Sequence, residues 1–239
     1  MNNFDKELIK KHLPKEKWED AFLKLEKGYP VQYIIGNVDF CDCNIKVNED
    51  VLIPRFETEY LVDDLIKLIE KSNIHNPKIL DIGTGSGCIS IALMKSLDCT
   101  VETIDKSEKA IKLAKENAKD NNCAITFKCI SIEDYQTESK YDVIVSNPPY
   151  VAYDSPIDEK IKYEPKEAIF ADNNGLYFYN IILDKASKIV NKKSIIAFEI
   201  GNGQTEAIKK IINKFFPNAN IIFKKDLNNY DRYIYIINN

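Results

Sequence analysis

The sequence predicts an α/β fold built on a doubly wound, mainly parallel sheet. Three observations carry that expectation. From Pro77 onward, short apolar runs alternate with stretches of helical spacing, the order that gives parallel strands joined by crossover helices. One run, Ile79-Leu80-Asp81-Ile82, passes directly into the glycine-rich turn Gly83-Thr84-Gly85-Ser86-Gly87. Another, Tyr141-Asp142-Val143-Ile144-Val145, stops at Ser146-Asn147-Pro148-Pro149-Tyr150, because neither proline has an N–H to give to a ladder.

Taken in order, residues 3–12 and 15–27 read as two short helices separated at Leu13-Pro14. Trp18, Phe22 and Leu25 fall at helical spacing, with Lys and Glu around them as a solvated face. Gly28-Tyr29-Pro30 breaks this pattern. Residues 31–53 carry many β-formers in Val31-Gln32-Tyr33-Ile34-Ile35-Gly36, Val38-Asp39-Phe40 and Ile45-Lys46-Val47, and predict a hairpin or small sheet. Val51-Leu52-Ile53-Pro54-Arg55 leads into a helix that the spacing of Tyr60, Leu61, Leu65 and Ile69 carries from Glu57 to about Lys71. Beyond Pro77, strands are expected near 78–82, 100–104, 124–129, 142–146, 193–199, 219–223 and 232–237. Helices are expected near 87–96, 107–120, 174–191 and 203–215. The chain thus divides into a helical segment at 1–30, a hairpin linker at 31–55 and a main domain at 56–239.

With 239 residues the chain fits one large domain, or one domain with a small appendage. A hydrophobic fraction of 44% is ordinary for a soluble globular protein, and the net charge of −4 lacks the overall basic footprint of a nucleic-acid binder. Six cysteines include no C-x-x-C, and two histidines leave few metal ligands, so no metal is expected. Cys99, Cys123 and Cys129 fall in or beside apolar runs and read as small core residues. The expected setting is reduced and cytoplasmic. No apolar run approaches the ~18 residues of a membrane span, and no signal peptide opens the chain.

Chemistry gathers at the two strand ends. Glycines at Gly83, Gly85 and Gly87 allow positive φ and close approach of a ligand to the backbone. Asp105 ends the next strand, about 20 residues on, where a carboxylate accepts hydrogen bonds from ribose hydroxyls. The spacing G-x-G-x-G, preceded by an acidic residue, fits S-adenosylmethionine better than a dinucleotide. At the other strand end, Asn147 precedes a proline and is pushed toward extended backbone. Its side-chain oxygen and the Pro148 carbonyl are two acceptors without a base, suited to gripping an NH2 group. Acceptors placed out of an amide plane favour a pyramidal nitrogen whose lone pair points at an electrophile. Tyr150 can lie on the flat substrate group.

These residues together resemble the class I S-adenosylmethionine-dependent methyltransferases that act on amide or amino nitrogen. Within them the chain resembles the HemK/PrmC family, the protein-(glutamine-N5) methyltransferases of peptide chain release factors. The likeness runs from about Gly28 to the C-terminus. Gly28-Tyr29-Pro30-Val31-Gln32-Tyr33-Ile34-Ile35-Gly36 and Val51-Leu52-Ile53-Pro54-Arg55-Phe56-Glu57-Thr58-Glu59 are similar to two of the family's segments. So are Tyr163-Glu164-Pro165, Ala171-Asp172-Asn173-Asn174-Gly175-Leu176, Phe198-Glu199-Ile200-Gly201, and Asp226-Leu227 with Arg232.

The resemblance implies a seven-stranded mixed sheet with a short N-terminal helical segment and a β-hairpin. It implies that Gly83, Thr84, Gly85, Ser86 and Gly87 cradle the methionine part of the cofactor, that Asp105 holds the ribose, and that Ile132 lies near the adenine. Asn147, Pro148, Pro149 and Tyr150 would form the catalytic grip on the target glutamine, with Asn147 also at the cofactor. Pro54, Arg55 and Glu57 would border the same pocket. Three departures stand out: only two short helices precede Gly28, Ser131 stands where the family commonly has Asp, and Phe56 replaces a proline. The expected substrate is the Gly-Gly-Gln loop of a release factor, with no direct nucleic-acid or membrane partner. Alternatives are a ribosomal-protein glutamine methyltransferase, a methyltransferase of adenine or guanine amino groups, and a cofactor-binding scaffold without activity.

Overall fold

The computed structural model describes residues 3–156 and 159–238, so the first two residues of the expected N-terminal segment lie outside it. Helices α1 (Asn3–His12) and α2 (Trp18–Glu26) are parted at Leu13-Pro14, and Trp18 Nε1 donates to the Leu13 carbonyl at 2.9 Å across the break. Ile9, Ala21 and Val31 form a small buried cluster, with Trp18, Phe22 and Leu25 packed around it.

Residues 31–36, expected as a strand, instead form the five-residue helix α3 (Val31–Ile35). Pro30, in extended conformation, precedes its first turn, and Gly36 (φ 88°) closes it in the left-handed region. The β-formers are explained by burial on two sides. Val31, Ile34 and Ile35 pack into the N-terminal cluster, while Tyr33 joins the main core and donates its hydroxyl to the Val51 carbonyl at 2.5 Å. Contacts of this kind override a weak local propensity. The hairpin itself is β1 (Asn37–Phe40) paired with β2 (Cys43–Lys46). Cys41 and Asp42 both have positive φ (45° and 58°), the conformation that matches a two-residue turn to strand twist.

The chain continues with α4 (Phe56–Lys71), β3 (Lys78–Ile82), α5 (Cys88–Ser96), β4 (Thr100–Asp105), α6 (Glu108–Asp120), β5 (Thr126–Cys129) and β6 (Tyr141–Ser146). After these come α7 (Tyr177–Ile189), β7 (Val190–Glu199), α8 (Thr205–Phe215), β8 (Asn220–Lys225) and β9 (Asp231–Asn238). Helix α7 starts later than the expected residue 174 because Asn173, Asn174 and Gly175 all run through left-handed backbone, at φ 55°, 55° and 80°. The seven strands stand in the order β5-β4-β3-β6-β7-β9-β8. All neighbours are parallel except β9, which is antiparallel to both β7 and β8. The predicted doubly wound mixed sheet is therefore the observed one.

Period-two alternation sends side chains to both faces. Ile79, Val143, Val145, Ile195 and Tyr235 pack with Leu61 and Leu65 of α4 on one side. Leu80, Ile144, Ile196, Phe198 and Ile236 pack with Ile182 of α7 and Ile208 of α8 on the other. At the edge, β5 is mostly exposed, and the expectation that Cys129 is a core residue fails there; the buried thiols are Cys43 and Cys88. No helix among the described residues is long and apolar enough to cross a membrane.

Asn117 joins the hairpin to α6 and the glycine turn. Fully buried on α6, it accepts from Lys46 N at 2.8 Å and donates to the carbonyls of Lys46 (3.0 Å) and Ser86 (2.8 Å). Asn117→Ala leaves these backbone groups without partners and is expected to cost about 2–3 kcal/mol. Urea unfolding should show a lower midpoint at unchanged slope; an unchanged midpoint would show that the hairpin is held by other contacts.

Candidate active site

The strand order reverses between β3 and β6, and open α/β sheets bind ligands at the carboxyl ends beside such a point. The glycine turn leaves β3 there, and Asn147 leaves β6 there. Gly83 (φ 76°) and Gly85 (φ 54°) need left-handed backbone, and a Cβ on either would meet nothing within 4 Å. The turn is an open backbone cradle. Gly83 N and Thr84 N both donate to the Ile104 carbonyl, at 2.9 and 3.2 Å, tying the turn to β4.

Asp105 accepts from Gly85 N and Ser107 N, each at 2.9 Å. The cap of α6 is Ser107, whose Oγ accepts from Ala110 N, while Asp105 holds the glycine turn with Oδ2 and the Ser107 N–H with Oδ1. A carboxylate offers about four lone-pair positions, and the two left on this part-buried group suit a pair of hydroxyls. Ile132, 5% exposed, packs in the core cluster that contains Leu80 and Ile82, and the neighbouring Ser131 hydroxyl donates to Asp134 at 2.9 Å.

Asp81 is a residue that sequence reasoning noted only as an acidic neighbour. It is fully buried, with Oδ2 accepting from Ser90 (2.6 Å) and Thr84 (3.0 Å), while Oδ1 has no partner among the described residues. Burial pushes its carboxyl up to about 6, against the pull of the Ser90 and Thr84 hydroxyls. An orphaned buried carboxylate oxygen beneath an open glycine cradle fits a ligand that brings positive charge. S-adenosylmethionine, with its ammonium and sulfonium groups, is such a ligand.

At the second strand end, Asn147 is part-buried and Pro148 buried. Asn147 Nδ2 donates to Thr58 Oγ1 at 3.2 Å, and Thr58 donates to Glu199 Oε2 at 2.6 Å. Tyr150 donates its hydroxyl to Glu199 Oε1 at 3.1 Å and accepts from Arg232 at 3.4 Å. Arg232 also donates to Asp226 at 3.1 Å, which places the late Asp226 and Arg232 behind the tyrosine. Burial first, and the Glu199 charge second, push the Tyr150 hydroxyl above its ordinary range, so it remains a donor. The Tyr150 backbone is held as well. Gln204 Nε2 donates to the carbonyls of Tyr150 (2.9 Å) and Asn174 (3.1 Å), and a Cβ on Gly175 would stand 2.0 Å from the Tyr150 oxygen. Only glycine permits that approach.

Arg55 is held by a buried carboxylate. Its guanidinium meets Glu164 Oε1 at 2.5 Å, and Glu164 Oε2 accepts from Ile53 N at 3.0 Å, so the buried Glu164 clamps the loop containing Pro54. The Glu57 backbone carbonyl accepts the Tyr233 hydroxyl at 2.9 Å, and Phe56 is 60% exposed. Thr58, Glu164, Glu199 and Gln204 were not singled out from the sequence as site residues. Three of them lie inside segments whose family likeness was visible, so the signal was the segment and not the side chain.

Residues 58–164 match the family model of the methyltransferase small domain. A release factor glutamine methyltransferase of Bacillus anthracis is 38% identical over 221 residues, covering 87% of this chain and 76% of that protein. One of Lactococcus lactis subsp. lactis is 40% identical over 235 residues, covering 93% of this chain and 86% of that one. Among solved structures, a 16S rRNA N2 G1207 methyltransferase of T. thermophilus, in complex with AdoMet and guanosine, is alike in fold. Its TM-score is 0.63 at 12% identity, over 85% of this chain and 50% of that chain. Identity of this order across most of both proteins shows that the chain belongs to the release factor glutamine methyltransferase family, with a class I methyltransferase fold and S-adenosylmethionine as its cofactor.

Proposed function

We propose that this chain methylates the side-chain nitrogen of a glutamine in the Gly-Gly-Gln loop of a peptide chain release factor, in the cytoplasm. The observation that carries the reading is the orientation of the Asn147 amide. Its NH2 end faces Thr58, so Oδ1 is the end left for a ligand at the mouth of the site. An amide nitrogen is a poor nucleophile because its lone pair is delocalised. Asn147 Oδ1 and the Pro148 carbonyl accept its two N–H groups and hold it in the geometry that frees the lone pair. The Tyr150 ring lies against the flat amide, its hydroxyl being held by Glu199. Bound S-adenosylmethionine supplies an electrophilic methyl group on sulfur. Orientation and preorganised acceptors supply most of the acceleration. No strong base is required, since an alkylated amide nitrogen loses its proton readily.

In this reading Gly83 to Gly87 hold the methionine part, with Asp81 beneath it, Asp105 takes the ribose hydroxyls, and Ile132 borders the adenine. Arg55, held by Glu164, lines the approach of the substrate loop. The helical segment up to residue 30 assists recognition of the protein substrate. It is joined to the site side by the Tyr163 hydroxyl, which donates to the Lys27 carbonyl at 2.7 Å beside Glu164.

Asp105→Ala removes the ribose acceptors and is expected to weaken cofactor binding about tenfold or more, since charge-assisted bonds are the strong ones. Calorimetry on the folded variant measures this, and an unchanged affinity would remove Asp105 from the site. Asn147→Ala should leave cofactor affinity nearly unchanged and slow single-turnover methyl transfer to a release factor by about 10²–10³-fold. Changing the loop glutamine of the substrate should abolish transfer. Efficient methylation of RNA or DNA, with none on protein, would overturn the reading.

A further inference from the structure

We infer that Thr58 and Glu199 are positioning residues: they form a one-directional hydrogen-bond relay that decides which end of the Asn147 amide faces the substrate. The inference rests on the glutamine-methylating reading proposed above; both residues lie in segments similar to the family's, and neither was assigned a role from the sequence.

The geometry starts with the sheet. Strands β6 and β7 are parallel neighbours with Ser146 opposite Phe198, so Asn147 and Glu199 stand at the same level on adjacent strand ends. Thr58 comes down between them from the first turn of α4. Thr58 is 3% exposed and Glu199 2%, so water does not substitute for either partner.

The direction of the relay follows from donor and acceptor inventories. An ionised carboxylate only accepts. Thr58 has one proton and directs it to Glu199 at 2.6 Å, which leaves its oxygen to accept. The atom 3.2 Å away on Asn147 must then be the donor, Nδ2. A flipped Asn147 would set its carbonyl oxygen against the Thr58 lone pairs, acceptor against acceptor. It would also turn its NH2 toward the substrate NH2, donor against donor. Glu199 therefore fixes the polarity of a side chain it does not touch. Its other oxygen takes the Tyr150 hydroxyl, so both ends of the Asn147-Pro148-Pro149-Tyr150 motif refer to one buried carboxylate.

The test is a double-mutant cycle read by single-turnover transfer to a release factor at saturating S-adenosylmethionine. Thr58→Val keeps the shape and removes the hydroxyl; the rate is expected to fall about tenfold, the scale of one hydrogen bond, at unchanged cofactor affinity. Thr58→Ser restores the hydroxyl and should recover most of the rate. In an Asn147→Ala background, Thr58→Val should have no further effect, because the residue through which it acts is gone. Thermal melts check folding, and Thr58→Ala replaces the Val variant in the same cycle if the latter does not fold. Equal fold-losses in both backgrounds, or a near wild-type rate in folded Thr58→Val alongside a slow Asn147→Ala, would overturn the relay alone. A wild-type rate in Asn147→Ala would overturn the reading beneath it, and the relay with it.

Discussion

The site depends on satisfying one buried carboxylate. Glu199 ends β7 in the middle of the sheet, 2% exposed, where an unpaired charge is costly. Burial raises its carboxyl above the usual carboxylate range, and the Thr58 hydroxyl, the Arg232 charge and the Tyr150 hydroxyl offset only part of that rise. Those partners come from the start of α4, from β9 and from the loop after β6, so meeting the needs of one group draws three distant segments to one place. Arg232 in turn is held by Asp226, and Tyr179 donates to the Glu199 backbone carbonyl at 2.8 Å from the opposite side. The motif proposed to face the substrate is the outer layer of this arrangement.

A second carboxylate works in the same way on the neighbouring loop. Glu164, also buried, receives Ile53 N and the Arg55 guanidinium. The loop from Val51 to Arg55 has little regular structure of its own, and a proline removes one of its N–H donors. Two bonds to one rigid acceptor replace the missing ladder. Gln204 does the corresponding work for the stretch after β6, bridging the carbonyls of Tyr150 and Asn174 and accepting from Gly201 N at 3.0 Å. Each irregular segment around the site is thus held by a side chain from a remote element, which keeps the acceptors fixed before the substrate arrives.

The two halves of the proposed site, for cofactor and for substrate, differ in how they are built. The cofactor half is largely backbone: a strand, a glycine turn and a helix contiguous in sequence, with Asp105 bonded to the turn across one strand. Its charge logic is also local, since Asp81, Thr84 and Ser90 lie within ten residues of one another. The substrate half is assembled from side chains. Its hydrogen bonds span 49, 89, 109 and 141 positions of chain.

That difference explains what was legible. Strand–helix alternation, the glycine turn and the Pro-Pro stop after β6 are properties of short windows, governed by side-chain periodicity and by the backbone limits of Gly and Pro. Such windows made the doubly wound sheet legible, with Asp105 at the end of one strand and Asn147 just past another. The sequence by itself misjudged Val31–Ile35, where burial between two clusters overrode β-propensity, and Cys129, because an apolar run does not reveal that its strand lies at an edge. Which way the Asn147 amide points depends on contacts that no short window contains. A hydrogen bond has a direction set by its whole chain of donors and acceptors, and here that chain runs through Thr58 to a carboxylate that folding alone brings alongside.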